Sequence, residues 1–191
     1  MLETEPQDRE KTDNELVALT LADKGNFVYL LHRYEDKLKR YIHRISSFSQ
    51  EETEDILQEV FLKVYKNLNG FDPDLKFSSW IYRITHNQVI SQHRRNLARP
   101  KTVEIDVNIM NGLKAEFDLN QDIWDTDQRE EINKIIWRLK PKHRDILILR
   151  FFEEKSYEEI SDILEKPSGT VATLIHEAKK EFKQYWPQDI N

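Results

Sequence analysis

The stretch Ser156-Tyr-Glu-Glu-Ile-Ser-Asp-Ile-Leu-Glu-Lys-Pro-Ser-Gly-Thr-Val-Ala-Thr-Leu-Ile-His-Glu-Ala-Lys-Lys-Glu-Phe182 decides the fold. Ser156 with Glu159 three residues on is a capping box, in which each side chain satisfies a backbone N–H that a helix start leaves unpaired. Ile160, Ile163 and Leu164 then follow at helical spacing. Pro167 interrupts the pattern because proline cannot continue a helix. Gly169-Thr-Val opens a second helix with Val171, Ile175, Ala178 and Phe182 on its packing face. A helix of about nine residues, a turn of about four and a second helix is helix-turn-helix spacing. Its register leaves Ser168, Thr170, Ala172, Thr173, His176, Glu177 and Lys180 nearer the groove side, with Lys179 beside them. A helical hairpin that packs only for its own sake shows the same pattern, so both readings stand at this point.

Upstream of that stretch, Ile132, Ile135, Ile136 and Leu139 recur with helical period. Pro141 suits the first turn of the next helix, whose apolar face is Ile146, Leu147, Leu149, Phe151 and Phe152. Two more capping boxes occur nearer the N-terminus. Thr12 with Glu15 precedes Leu16, Val17 and Leu19, and Ser49 with Glu52 precedes Ile56, Leu57, Val60, Phe61, Val64, Tyr65 and Leu68. Between them Phe27, Leu30, Leu31, Tyr34, Leu38, Tyr41, Ile42 and Ile45 mark one long amphipathic helix. Gly70 stands where a helix C′ residue is expected. Phe71-Asp-Pro-Asp-Leu75 is a turn-rich loop, and a further helix starts near Ser78 and runs through Trp80, Ile81, Ile84 and Ile90 to Arg94-Arg95. Residues 100–125 show no sustained period and read as an acidic tether. No strand pattern survives anywhere. The expectation is an all-α chain of two small helical domains, 14–99 and 126–187, with a polar tail at 1–13 and an acidic linker at 100–125.

Composition narrows the function. With 191 residues, the chain holds one ordinary domain or two small ones. Four glycines leave little for a phosphate-cradling loop, and the absence of cysteine excludes disulfides, thiolate zinc sites and cysteine nucleophiles. No apolar run reaches the ~20 residues that cross a bilayer, so no membrane insertion is expected and the chain reads as cytoplasmic. The net charge of -6 is unevenly spread. Residues 75–103 carry Lys76, Arg83, Arg94, Arg95, Arg99 and Lys101 and no acid, whereas residues 104–131 carry nine acids and two bases. A confined basic strip beside acidic faces suits a protein that meets nucleic acid on one surface and other partners elsewhere.

Along that strip Trp80, Tyr82, Arg83, His86, Asn87, Gln88, Ser91, Arg94 and Arg95 mix aromatics, amides and guanidinium groups. Such mixtures hold single-stranded nucleic acid, with bases stacked on rings and phosphates on Arg and Lys. A solvated helix with Trp80 and Ile84 in the core gives the same pattern. Asp55, Gln58, Glu59 and Leu62 share a face of the helix that begins at Ser49. Acids in a first turn also simply suit the helix dipole. No nucleophile stands beside a base, His86 and His93 lack metal-site spacing, and neither a catalytic residue, a cofactor nor a metal is expected.

Taken in order, Asp55-Ile-Leu-Gln-Glu-Val-Phe-Leu-Lys-Val-Tyr65, Phe77-Ser-Ser-Trp-Ile-Tyr-Arg-Ile-Thr-His-Asn87, Leu139-Lys-Pro-Lys-His-Arg-Asp-Ile-Leu-Ile-Leu-Arg150, Ser156-Tyr-Glu-Glu-Ile160 and Pro167-Ser-Gly-Thr-Val171 resemble the extracytoplasmic-function (ECF) sigma factors of bacterial RNA polymerase, in the sigma-70 superfamily. The resemblance implies an alternative sigma factor, not an enzyme, that binds core RNA polymerase and directs promoter-specific transcription initiation. Asp55, Gln58, Glu59 and Leu62 of region 2 would dock the polymerase clamp helices. Phe71, Lys76, Phe77, Trp80, Arg83, Asn87, Gln88, Ser91, Arg94 and Arg95 would read and melt the minus-ten element, contacting duplex and then single-stranded DNA. Region 4 would meet the polymerase flap and read the minus-thirty-five element through Ser168, Thr170, Ala172, Thr173, His176, Lys179 and Lys180.

Members often carry basic residues where this chain has Ala172, Leu174 and Glu177, which implies weak or unusual minus-thirty-five reading. The chain shows no further C-terminal domain for self-inhibition, so control is expected from an anti-sigma factor. A stand-alone helix-turn-helix transcription regulator is the alternative, and it leaves the first domain without a role.

Overall fold

The computed structural model describes residues 11–98 and 131–186, and for residues 126–130 the helical backbone alone. Residues 1–10 of the expected tail and the acidic linker 100–125 therefore lie outside the described residues, while Thr12 and Asp13 of the tail cap and open the first helix. Among the described residues every regular element is a helix or helical turn. Helix α1 (Asp13–Ala22) is followed by a 3-10 turn at Lys24–Asn26, then α2 (Phe27–Ile45), α3 (Gln50–Asn67) and α4 (Phe77–Ala98). The second half contains α5 (Thr126–Arg138), α6 (Pro141–Leu147), α7 (Tyr157–Leu164) and α8 (Ser168–Tyr185).

All three capping boxes form. Thr12 with Glu15, Ser49 with Glu52, and Ser156 with Glu159 each make both reciprocal hydrogen bonds. Pro141 occupies the first turn of α6. On α2 the apolar stripe is real: Leu30, Tyr34, Leu38, Tyr41, Ile42 and Ile45 are at most 3% exposed. Each such side chain contributes about 1.5–3 kcal/mol by leaving water.

Two local expectations are corrected. Helix α3 closes through a 3-10 turn at Leu68–Gly70, and Gly70 does not adopt the positive φ of a C′ glycine. The helix from Pro141 is also shorter than its apolar pattern: after Leu147 the backbone widens into a π turn over Ile148–Phe152. Ile148 and Leu149 stay buried, while Phe151 is turned out and 51% exposed. Glu154, two residues beyond the turn, has a left-handed φ of 53°.

The two halves do not stand apart. A single cluster of buried apolar side chains runs from Leu16 through Val89 into Ile132–Ala178. Helix α4 of the first half packs along α7 of the second, and α6 and the π turn meet α2.

Candidate nucleic-acid interface

Helix α4 has two faces with different fates. One packs into the first half through Phe77, Ile81, Tyr82, Thr85 and Val89. Four rings meet at its start: Phe77 lies 5.5 Å from Tyr34, 5.4 Å from Phe71 and 5.7 Å from Trp80, and Phe71 lies 5.3 Å from Trp80. Phe71 and Phe77 are 8% and 1% exposed, so they form the floor beneath the loop and are not free to stack on a base. Trp80 is half-buried and remains the ring at the rim. Above this floor the exposed loop Asp72–Lys76 is held by Asn14, which donates to the Pro73 carbonyl at 3.2 Å, and by an Asp72 carboxylate that accepts from the Asp74 N–H at 3.0 Å.

A second face of α4 is turned outward. Asn87, Arg94 and Arg95 are exposed, and Arg83 and Ser91 are half-buried. Arg95 lies 3.9 Å from Glu59 of α3, while the Ser91 hydroxyl donates to the Asn87 carbonyl at 2.7 Å. Gln88 is a correction: its side chain is 1% exposed, and its amide donates to Glu59 while accepting from Lys63. Both ends of the amide are engaged by α3, which removes Gln88 from any base edge.

On α3, Asp55, Gln58, Glu59 and Leu62 are all exposed along one stripe, with Leu62 at 56%. Beside them lies a groove of about 610 Å³, lined on its apolar side by Phe27, Leu31, Leu57, Phe61, Leu62 and Tyr65. An exposed leucine between carboxylates and an apolar groove gives this face both charge and contact area for another protein.

In the second half α7, a turn containing Glu165 at φ 52°, and α8 build the helix-turn-helix. Val171, Ile175 and Ala178 are buried against α6 and α7. Ser168, Thr170, Ala172, Thr173, His176, Lys179 and Lys180 are exposed. Lys179 turns away from the others: its ammonium sits 5.0 Å from the Phe151 ring, at the edge of an apolar groove of about 710 Å³ that includes Phe182 and Trp186.

Helices α2 and α4 and the loop before α4 meet the second half through polar contacts whose partners lie far apart in the sequence. Glu153 lies 2.7 Å from Arg44 and accepts from the Tyr82 hydroxyl at 2.6 Å. Glu159 lies 3.5 Å from Lys76 and accepts from Ser78 at 3.4 Å. Arg144 donates to the Ile45 carbonyl at 3.4 Å. Tyr41 and His86 share a hydrogen bond of 3.2 Å, and burial, with the nearby Lys166 charge, pushes the His86 imidazole down to about 4. His86 is therefore neutral at pH 7. One signal was present in the sequence: Arg44 stands within the apolar run that ends α2, and a charge buried there needs a partner.

Taken together, an acidic helix face with an apolar groove, a basic helix over an aromatic floor and a helix-turn-helix define a helical protein built to meet protein and DNA at once. The comparisons place it further. Residues 30–99 match the family Sigma-70 region 2, and residues 129–182 match Sigma-70, region 4. The ECF RNA polymerase sigma factor SigW of Bacillus subtilis is 31% identical over 170 residues, covering 85% of this chain and 89% of that protein. The ECF RNA polymerase sigma-E factor of Escherichia coli is 29% identical over 180 residues, covering 88% and 91%. Among solved structures, CnrH in complex with the cytosolic domain of CnrY shares the fold, with a TM-score of 0.67 at 18% identity over 91% of this chain and 96% of that one. The sigma factor RpoE of Bartonella quintana, solved with the anti-sigma factor NepR, gives 0.63 at 18% identity over 86% and 99%. The chain belongs to the sigma-70 family, as an ECF sigma factor. Among the described residues no helix is long and apolar enough to cross a membrane.

Proposed function

We propose that this chain is an alternative sigma factor whose residues 14–99 act as region 2 and residues 126–187 as region 4, joined by the linker 100–125. The observation that carries the reading is the packing of α3 along α4. It sets the exposed Asp55, Gln58, Glu59 and Leu62 of α3 beside the exposed Asn87, Arg94 and Arg95 of α4, with Arg95 3.9 Å from Glu59 and Trp80 at the start of α4. The α3 stripe docks the clamp helices of core RNA polymerase. Lys76, Arg83, Arg94 and Arg95 bind phosphates, and Asn87 and Ser91 lie near base edges. Trp80, supported by Phe71 and Phe77, borders the pocket that takes a base out of the stack during minus-ten melting. Unstacking costs about a few kcal/mol, recovered by contacts to the displaced strand.

Helix α8 enters the major groove of the minus-thirty-five element through Ser168, Thr170, Ala172, Thr173, His176 and Lys180. The apolar groove beside Phe151 and Phe182 faces the polymerase flap, and Lys179 borders that groove. Regulation comes from an anti-sigma factor, and the protein works in the cytoplasm without catalysing a reaction of its own.

The test is transcription by purified core RNA polymerase on sheared genomic DNA, with and without the protein, mapping new 5′ ends. Discrete starts that appear only with the protein support the reading, and their aligned upstream sequences give both promoter elements. Duplex binding with no polymerase association would return the stand-alone regulator.

A further inference from the structure

Helix α8 contains no arginine between Ser168 and Tyr185. It therefore lacks the guanidinium fork that most often reads guanine, through O6 and N7 together. What it offers at the centre of its exposed face is small and largely apolar. Val171, Ile175 and Ala178 are buried, and at 3.6 residues per turn Thr173 falls in the middle of the opposite, exposed side. Gly169 precedes Thr173 by one turn, and Lys180 follows it by two.

The Thr173 hydroxyl donates to the Gly169 carbonyl at 3.0 Å. That bond spends the one donor of the side chain and fixes its χ1. Thr173 thus presents a methyl group beside an oxygen that only accepts. The protein itself does not require a glycine at 169: its φ is not positive, and a Cβ there would meet no atom within 4 Å. A glycine in a helix costs conformational entropy and permits close approach of a ligand. Glu177, whose carboxylate is the other acceptor nearby, lies 3.8 Å from Lys142 and 3.4 Å from His143 of α6. In the major groove thymine differs from cytosine by its C5-methyl, and adenine presents an N6 amino donor. A methyl and an acceptor side by side match those groups. They do not match the guanine edge, which presents two acceptors.

We propose that Thr173 makes α8 a reader of A·T pairs in the minus-thirty-five element. Its methyl packs on a thymine C5-methyl, its oxygen accepts from the N6 amino group of an adenine beside it, and Gly169 admits the base edge. The inference rests on the assignment of α8 to minus-thirty-five DNA and names the bases that the helix selects.

The experiment uses the full chain bound to core RNA polymerase. Duplexes of random sequence, selected for binding, give the preferred minus-thirty-five element. Each thymine of that element is then replaced singly by uracil, which removes the C5-methyl and nothing else. Competition filter binding reads the affinities of the parent, Thr173→Ser and Gly169→Ala. Both substitutions fall at exposed positions, and circular dichroism confirms that each variant folds. Parent binding is expected to weaken about fourfold at one thymine, the worth of one buried methyl group. Thr173→Ser is expected to weaken by a similar factor on the unmodified duplex and to lose nothing further with uracil at that position. Gly169→Ala, which crowds the base edge, is expected to weaken binding at least as much. A preferred element in which every uracil is felt equally by the parent and Thr173→Ser overturns the proposal, and leaves minus-thirty-five reading by α8 standing. Binding as tight as the parent's in Gly169→Ala overturns the close approach of the base edge. Selection that yields no preferred element overturns the assignment of α8, and the proposal with it.

Discussion

The Gln88 amide donates to the Glu59 carboxylate, so the helix assigned to DNA is tied by a buried side chain to the helix assigned to polymerase. Lys63 donates to the same amide from the other side. Gln88 and its neighbour Asn87 therefore have different roles despite similar chemistry. Gln88→Ala leaves Glu59 and Lys63 without that partner and is expected to destabilise the chain by about 1–3 kcal/mol in urea unfolding. Asn87→Ala, at an exposed position, is expected to cost under about 0.5 kcal/mol yet to reduce promoter opening, measured by permanganate reactivity of the melted strand.

The aromatic floor separates stability from promoter melting in the same way. Phe77→Ala removes a ring that is 1% exposed and touches Tyr34, Phe71 and Trp80, and is expected to cost about 3–5 kcal/mol. Trp80→Ala, at the half-buried rim, should lose less stability and more melting. Equal losses of stability in the two variants would place Trp80 wholly in the core.

Polymerase docking is best tested away from Glu59, because that carboxylate also holds Gln88. Asp55→Arg with Leu62→Asp changes two exposed side chains on the α3 stripe and no buried one. The expected outcome is at least a tenfold loss of affinity for core RNA polymerase in a pull-down titration, with an unchanged melting temperature. Undiminished binding would move the docking surface off this face.

Asp145, on α6, predicts a pH dependence. Burial lifts its carboxyl from an ordinary 3.8 to about 7, against the smaller opposing effect of Arg144. The folded chain keeps the proton over a range where the unfolded chain has released it. Stability therefore falls as pH rises from about 4 to about 7, and the loss persists above that. Asp145→Asn, which mimics the protonated acid, should match the parent near pH 4 and exceed it at pH 8 by on the order of 2 kcal/mol. Parallel stability curves for the two proteins would contradict this.

Helix α8 exposes few lysines: Lys180 on the groove side, Lys183 near the C-terminal end, and Lys179 drawn to Phe151. Lys180→Ala is expected to lower the log–log salt slope of duplex binding by about 1, the signature of one lost phosphate contact. Lys179→Ala should leave that slope unchanged.

Local rules carried much of this structure in the sequence. The three capping boxes, the stripe on α2, Pro141 at a helix start and the helix-turn-helix all depend on residues within a few positions of one another. Hydrogen bonds three apart and side chains three or four apart on a helix form wherever the chain lies, so the sequence by itself determined the helices and their order, including which faces were apolar. The tertiary structure decided what the charges do. Gln88 looked like a base reader because its partners Glu59 and Lys63 belong to another helix. Phe71 and Phe77 became a floor because Tyr34 and Trp80 close over them. The apolar pattern after Leu147 ends in a π turn where α2 and α7 come together. Arg44 and Glu153, 109 residues apart, meet only in the folded chain. No periodicity encodes such a pair: a buried charge is satisfied by whatever the fold brings to it, and that is set by packing across the whole chain.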